Sequence, residues 1–267
     1  MATVPISIAS PTGLVSIIIP CCGMLEYTKL CVPSVLRNTP ENFELIFLDI
    51  GSLDGTAEYL AGLRDGLAHK LRVEICRAQT DLDIKNTCRE ALNKAHGNYV
   101  CLLNNDTVVT PHWLGLLIAL TQMSDTIGMA GPMSNYAAEE QRVEEPVPYR
   151  VGPRKGTRPG DPLVDVQAVD AFALALNTKK RGKFIEPSRL QGFCLLIRRA
   201  VLDKVGRKLD EWTDLSLFDT DILSSKAREA GFKLMRASDV FVHHFGTRTF
   251  THAAPTTSAA QPNGQQH

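Results

Sequence analysis

Residues Tyr99 to Pro111 read YVCLLNNDTVVTP, an apolar run that ends on Asn104, Asn105 and Asp106 before Thr107 opens the next element. A short run such as YVCLL suits a strand buried on both faces, the kind found in parallel sheets covered by helices. Strand residues two apart face the same way, so Asn104 and Asp106 can aim a carbonyl and a carboxylate at one point while Asn105 faces elsewhere. Oxygen donors placed so suit a hard divalent cation that keeps positions for water and phosphate oxygens. The same residues are equally ordinary at a turn leading into a helix cap.

Upstream, three more apolar runs read as strands: Leu14 to Pro20, Phe43 to Asp49 and Leu71 to Cys76. Helices are expected between them at Tyr27 to Asn38, with Pro33 in its first turn or at a kink, at Thr56 to Leu67 and at Ile84 to Ala95. This alternation predicts an α/β fold with a mostly parallel, Rossmann-like central sheet flanked by helices. Ligands of such sheets sit beyond the carboxyl ends of the strands, where Asp49, the loop carrying Asp81 and Asp83, and Asn104 to Asp106 all fall.

Downstream the pattern predicts a helix at His112 to Met123 and a strand at Ile127 to Ala130. Ser134 to Asp165 follows as a long irregular connection rich in Pro, Gly, Arg and Glu, of a length usually tied to function or mobility. Order returns with a helix at Val166 to Lys180, a strand at Leu190 to Ile197 and helices at Arg199 to Val205 and Asp221 to Ala230. Strands at Lys233 to Ala237 and Val240 to His243 complete the less regular half.

The 267 residues carry a formal net charge of zero, so no broad basic field points to nucleic acid, and any anion needs a local site. Seven cysteines lie scattered without a two-residue-spaced pair. That argues against a disulfide framework or a structural zinc site and for a reduced, cytoplasmic setting. Neither a secretory signal nor an apolar stretch near the roughly 20 residues of a bilayer span is evident.

Several polar groups could carry chemistry, each with a structural role in competition. Asp49 ends a buried strand before IGSLDGT, where a carboxylate can meet a base or ribose and Gly51 and Gly55 permit close approach; Asp54 and Thr56 equally suit a helix cap. Asp83 can contact a nucleotide or favour the positive end of a helix, and Lys85 and Arg89 can reach phosphate. Gln191 and Gly192 open an apolar strand where an acceptor can approach. Asp219 and Asp221 precede a helix as caps, or one acts as general base. His244, beside His243 at a strand end, can complete a metal shell, with Arg248 neutralising phosphate.

Taken in order, VSIIIPCCGMLEYTKLCVPSVL, FELIFLDIGSLDGTAEYL, LLNNDTVVTPHWL, RLQGFCLLIRRAVLDKVG and SDVFVHHFGTRTF resemble the family 2 glycosyltransferases of the GT-A fold, over Leu14 to Phe250. Residues 1–12 read as a flexible lead-in and 251–267, without an apolar face, as a disordered tail, and the resemblance runs through one domain at 13–250. Within the domain, 13–131 would bind the nucleotide sugar and 132–250 the acceptor. Pro20 and Asp49 would line the base and ribose pocket, with Asp54 supporting the loop and Asp83 beside the nucleotide. Asp106, with Asn104 or Asn105, and His244 would meet Mg²⁺ or Mn²⁺, Gln191 and Gly192 the acceptor, and Asp219 and Asp221 would flank the place of the catalytic acid pair. The implied activity is inverting, metal-dependent transfer from a nucleotide-diphosphate sugar to a hydroxyl of a glycan, lipid-linked or protein acceptor. Membrane association would be peripheral only.

Ile50 and Leu53 depart from the commoner Asn and Thr, Gly23 from a frequent Asn and Asp83 from a frequent glycine. The expected Glu-Asp pair reads Asp219-Thr220, and a threonine cannot serve as a carboxylate base. A non-catalytic module that binds a nucleotide sugar or a partner enzyme is therefore the alternative. A nucleotidyltransferase would want a glycine-rich basic loop after the first strand, which CCGMLEY does not supply.

Overall fold

The structure, a computed structural model, describes residues 13–78, 83–151, 164–206 and 220–246. The first half contains β1 (Val15–Cys21), α1 (Leu25–Asn38), β2 (Phe43–Ile50), α2 (Thr56–Leu67), β3 (Val73–Ala78), α3 (Ile84–Lys94) and β4 (Tyr99–Leu103). β1 pairs in parallel with both β2 and β4, and β2 with β3. The chain thus winds outward on one side of β1 and returns to its other side, which opens a crevice beyond the strand ends between β1 and β4.

Both faces of these strands are covered. Ile17, Ile19, Leu45 and Phe47 join one apolar cluster, while Ile18, Ile46 and Leu48 join another on the opposite face, all fully buried. Two-sided burial explains why the runs are continuously apolar rather than alternating.

The second half contains β5 (Thr107–Val109), α4 (Trp113–Gln122), β6 (Ile127–Met133), α5 (Val166–Lys180), β7 (Phe184–Ile185), β8 (Cys194–Arg198), α6 (Arg199–Gly206), α7 (Thr220–Glu229) and β9 (Lys233–His244). β8 inserts antiparallel between β4 and β6. β9 runs parallel to β6 and antiparallel to β5 and β7. The order is β3-β2-β1-β4-β8-β6-β9-β5, with β7 beside β9.

Some elements differ from expectation. α1 begins at Leu25, so Pro33 lies inside the helix rather than in its first turn. The two expected C-terminal strands are one continuous strand, β9. Its polar interior is satisfied from outside: Ser238 N donates to Lys183 O at 2.8 Å, and Asp239 Oδ2 accepts from Gly182 N at 2.8 Å. The irregular connection contains a 3-10 turn at Glu139–Gln141 and bridges from Ser134 to Arg142 and from Val151 to Val164. The expected lead-in and tail, together with Asp81, Asp219 and Arg248, lie outside the described residues.

Candidate active site

β4 stops at Leu103, so Asn104 to Asp106 form a turn rather than a continued strand, and two-residue alternation does not set their directions. The turn is tied from below, with Thr107 Oγ1 donating to Asn104 O at 2.7 Å and the Cys31 thiol to the same oxygen at 3.6 Å. Asn105 is fully buried, and its amide donates to Gly23 O at 3.2 Å and to Thr28 Oγ1 at 3.0 Å, stitching β4 to the β1–α1 loop.

Asp106, also fully buried, meets the end of β9. Thr107 pairs with His244 across the β5–β9 ladder, and Phe245 N donates to Asp106 O at 3.0 Å. This brings His244 Nε2 to 3.3 Å from Asp106 Oδ1, without the alignment of a hydrogen bond.

The imidazole of His244 is held on every side. Its Nδ1 lies 2.9 Å from Tyr136 O, and since a carbonyl only accepts, Nδ1 carries the hydrogen. Phe193 stacks on the ring at 5.2 Å between centroids, and Tyr136 meets it edge-on at 5.6 Å. Asn135 clamps the backbone, donating Nδ2 to His244 O and accepting from His244 N, both at 3.0 Å.

In the neutral ring, therefore, Nε2 turns a lone pair toward a carboxylate oxygen in a buried place. Two electron-rich atoms so disposed favour a positive centre shared between them, which is the donor chemistry of a divalent cation. Among the described residues no group of three or more His, Cys, Asp or Glu could hold a metal ion. Asp106 and His244 could supply two ligands, and a cation held there would need further ones from phosphate, water or other residues. His243, the next residue, points the other way. Its Nδ1 lies 2.9 Å from Tyr149 Oη, and burial lowers its pKa to about 3, with the neighbouring His244 adding to the shift.

A cavity of about 560 Å³ opens beside His244. It gathers Asn104, Gln191, Gly192, Asp221 and His244 from the residues singled out by sequence, together with Thr220. It also exposes Tyr136, Arg142 and Arg189, which sequence reasoning missed because they carry no motif. Gln191 orders the wall: its side chain accepts from Ala138 N, and its backbone N donates to Gln141 Oε1, both at 2.6 Å. Asp221, in the first turn of α7, is bound by Arg189 at 2.8 Å, and Thr220 opens that helix.

Pro20, Asp49, Asp54 and Asp83 do not line this cavity; they lie at the ends of β1, β2 and the loops beyond. Asp49 is fully buried. Its Oδ1 accepts from Ser52 N at 3.1 Å, and its Oδ2 lies 3.3 Å from Arg77 Nε, a pairing that the sequence did not suggest. Asp54 supports the loop directly, accepting from Leu25 N at 2.9 Å and from Thr56 Oγ1 at 2.6 Å. Burial alone would raise its pKa, but these bonds outweigh it and hold the carboxyl below the ordinary value. Gly51 and Gly55 take positive φ, 60° and 89°, which only glycine adopts without strain in this loop. Asp83 stands at the N-cap of α3 without a side-chain capping bond.

Known proteins resemble this chain in sequence and in fold. The sequence model of glycosyl transferase family 2 matches residues 16–206. An uncharacterized protein, y4gI, of Sinorhizobium fredii is 30% identical over 224 residues, 83% of this chain and 23% of that protein. Glycosyltransferase GlyG of Streptococcus pneumoniae is 24% identical over 123 residues, 46% of this chain and 40% of its own. The chain thus spans well under half the length of these relatives. The mannosyltransferase PcManGT from Pyrobaculum calidifontis, solved with GDP-Man and Mn²⁺, superposes on 93% of the chain with a TM-score of 0.60, over 60% of its own length at 14% identity. GalNAc-T7, solved with UDP, GalNAc and Mn²⁺, does so on 93% with a TM-score of 0.62, over 46% of its own length at 16% identity. The fold is the GT-A fold, and the chain belongs to glycosyl transferase family 2.

Proposed function

We propose that this domain transfers a sugar from a nucleotide-diphosphate donor to an acceptor hydroxyl, with inversion at the anomeric carbon, in the cytoplasm and in glycan assembly. The observation that carries this reading is the buried contact of His244 Nε2 with Asp106 Oδ1 beside the cavity. Those two residues, with Asn104, would hold Mg²⁺ or Mn²⁺, as the Mn²⁺ in both solved structures of this fold supports. When bound, the cation neutralises charge on the departing diphosphate.

Pro20, Asp49 and Asp83 would receive the nucleotide on the loop that Asp54 holds, and Gln191 and Gly192 would face the acceptor. Asp219 or Asp221 would take the proton of the acceptor hydroxyl while its oxygen bonds to the anomeric carbon and the bond to the diphosphate breaks. Calorimetry with UDP and GDP in the presence of Mn²⁺ tests this. Binding that needs metal and is lost in Asp106→Asn is expected; no binding of any nucleoside diphosphate would overturn the reading.

A module that binds the donor without turnover is the second reading. Thr220 at the expected base position and the hold of Arg189 on Asp221 favour it. Donor hydrolysis abolished by Asp219→Asn or Asp221→Asn supports the enzyme, whereas tight binding with no turnover across a donor panel supports the module. Among the described residues no helix is long and apolar enough to cross a membrane.

A further inference from the structure

Among the described residues that line the cavity beside His244, guanidinium groups outnumber carboxylates. Arg142 and Arg189 line it, against the single carboxylate of Asp221 among its described lining residues. Asp221 already engages Arg189. The exposed guanidinium of Arg142 makes no hydrogen bond or ion pair with any described residue.

The backbone that carries Arg142 is fixed. Its N–H donates to Glu139 O at 3.3 Å, and the residue bridges to Ser134. The adjoining Gln141, 1% exposed, donates to Pro132 O at 3.0 Å and accepts from Gln191 N. A braced segment removes the backbone's share of the ordering cost on binding an anion and leaves only that of the side chain.

Tyr136 supplies the second half of the argument. The residue is 53% exposed, and its ring packs so closely on Gly246 that an added Cβ there would meet it at 3.0 Å. The exposed part of this ring, in the same cavity as a guanidinium, offers an apolar platform for a sugar ring and a planar fork for a carboxylate or phosphate. The nucleotide-side residues Pro20, Asp49, Asp54 and Asp83 are absent from this lining, and the diphosphate would be met through the cation that Asp106 and His244 would hold. Arg142, without a hydrogen-bond or ion-pair partner among the described residues, is available to the other substrate.

Resting on the transferase reading above, we infer that the acceptor is an acidic glycan, whose carboxylate or phosphate is received by Arg142 while a sugar ring lies against Tyr136. The test uses the full chain with Mn²⁺ and the nucleoside diphosphate it binds, titrated with matched neutral and acidic sugars. Suitable pairs are methyl glucoside and methyl glucuronide, methyl galactoside and methyl galacturonide, and glucose and glucose 6-phosphate. The acidic member of at least one pair should bind at least about tenfold more tightly, as one charge-assisted contact allows. The pairs that show the preference separate carboxylate from phosphate. Arg142→Gln should erase the preference and Arg142→Lys restore part of it, with the affinity for nucleoside diphosphate unchanged in both. Equal binding within every pair, no binding of any sugar, or an Arg142→Gln variant that weakens the nucleoside diphosphate instead would each overturn the inference. Failure to bind any nucleoside diphosphate would remove the transferase reading itself, so the two failures are told apart.

Discussion

Thr107 and His244 sit directly opposite each other in the antiparallel pairing of β5 with β9. That register delivers the preceding residue, Asp106, to the imidazole of His244. If the two side chains act as one binding unit, Asp106→Asn and His244→Gln should each lower Mn²⁺ affinity by more than about 100-fold, since loss even of an outer partner costs 10- to 100-fold. The double variant should fall short of the product of the single effects, as residues in contact are not additive. Calorimetric titration of Mn²⁺ across the cycle measures the coupling.

Asn135 is the outer support of the same histidine. Asn135→Ala removes both bonds to the His244 backbone and should reduce Mn²⁺ affinity about tenfold or more. Stability should fall by only about 1–2 kcal/mol, the range for a pair of ordinary hydrogen bonds. Metal titration beside urea unfolding separates the two effects; unchanged metal affinity would leave Asn135 a purely structural residue.

Far from the cavity, Glu44 is 1% exposed yet charged. Burial works to raise its pKa, but Ser16 Oγ at 2.6 Å, His96 N at 2.7 Å and the Arg72 guanidinium outweigh that and hold it below the ordinary value. Because the folded carboxyl titrates below the unfolded one, its stabilisation is whole above the unfolded value near 4.5 and is lost as pH falls through the lower folded value. Glu44→Leu leaves the buried Ser16 hydroxyl without its acceptor, while the partly exposed Arg72 keeps Glu74, and should cost about 1–3 kcal/mol at pH 7. It should also flatten the acid limb of stability measured by urea unfolding.

The parallel half of the fold was legible because strands covered on both faces need unbroken apolar sequence, as in Ile17 to Ile19 and Leu45 to Leu48. β5 was not, because three residues, Thr107–Val109, carry no period, and their partner lies over a hundred residues away in β9. β9 was read as two strands because Ser238 and Asp239 look like a break until Gly182 and Lys183 are seen to satisfy them. In the site, Asn104, Asp106, Gln191 and His244 could be singled out as polar residues at apolar strand ends. Asn135, Tyr136 and Arg142 could not, since they stand in a connection without periodicity and gain their places through contacts remote in sequence, Asn135 and Tyr136 against His244 and the segment of Arg142 through the bond of Gln141 to Gln191.

The thiols offer a built-in clock. Cys22 is partly covered, while Cys21, Cys31, Cys76, Cys88, Cys101 and Cys194 are buried. Burial pushes Cys31 and Cys88 to about 12 and Cys76 to about 11, which suppresses the thiolate that alkylating reagents attack. Iodoacetamide followed by mass spectrometry should therefore add one adduct early and the others only as the chain breathes open. Since Cys31 and Cys101 belong to one apolar layer and Cys76 and Cys88 to the other, the order in which their masses shift reports whether the two sides of the sheet come apart together.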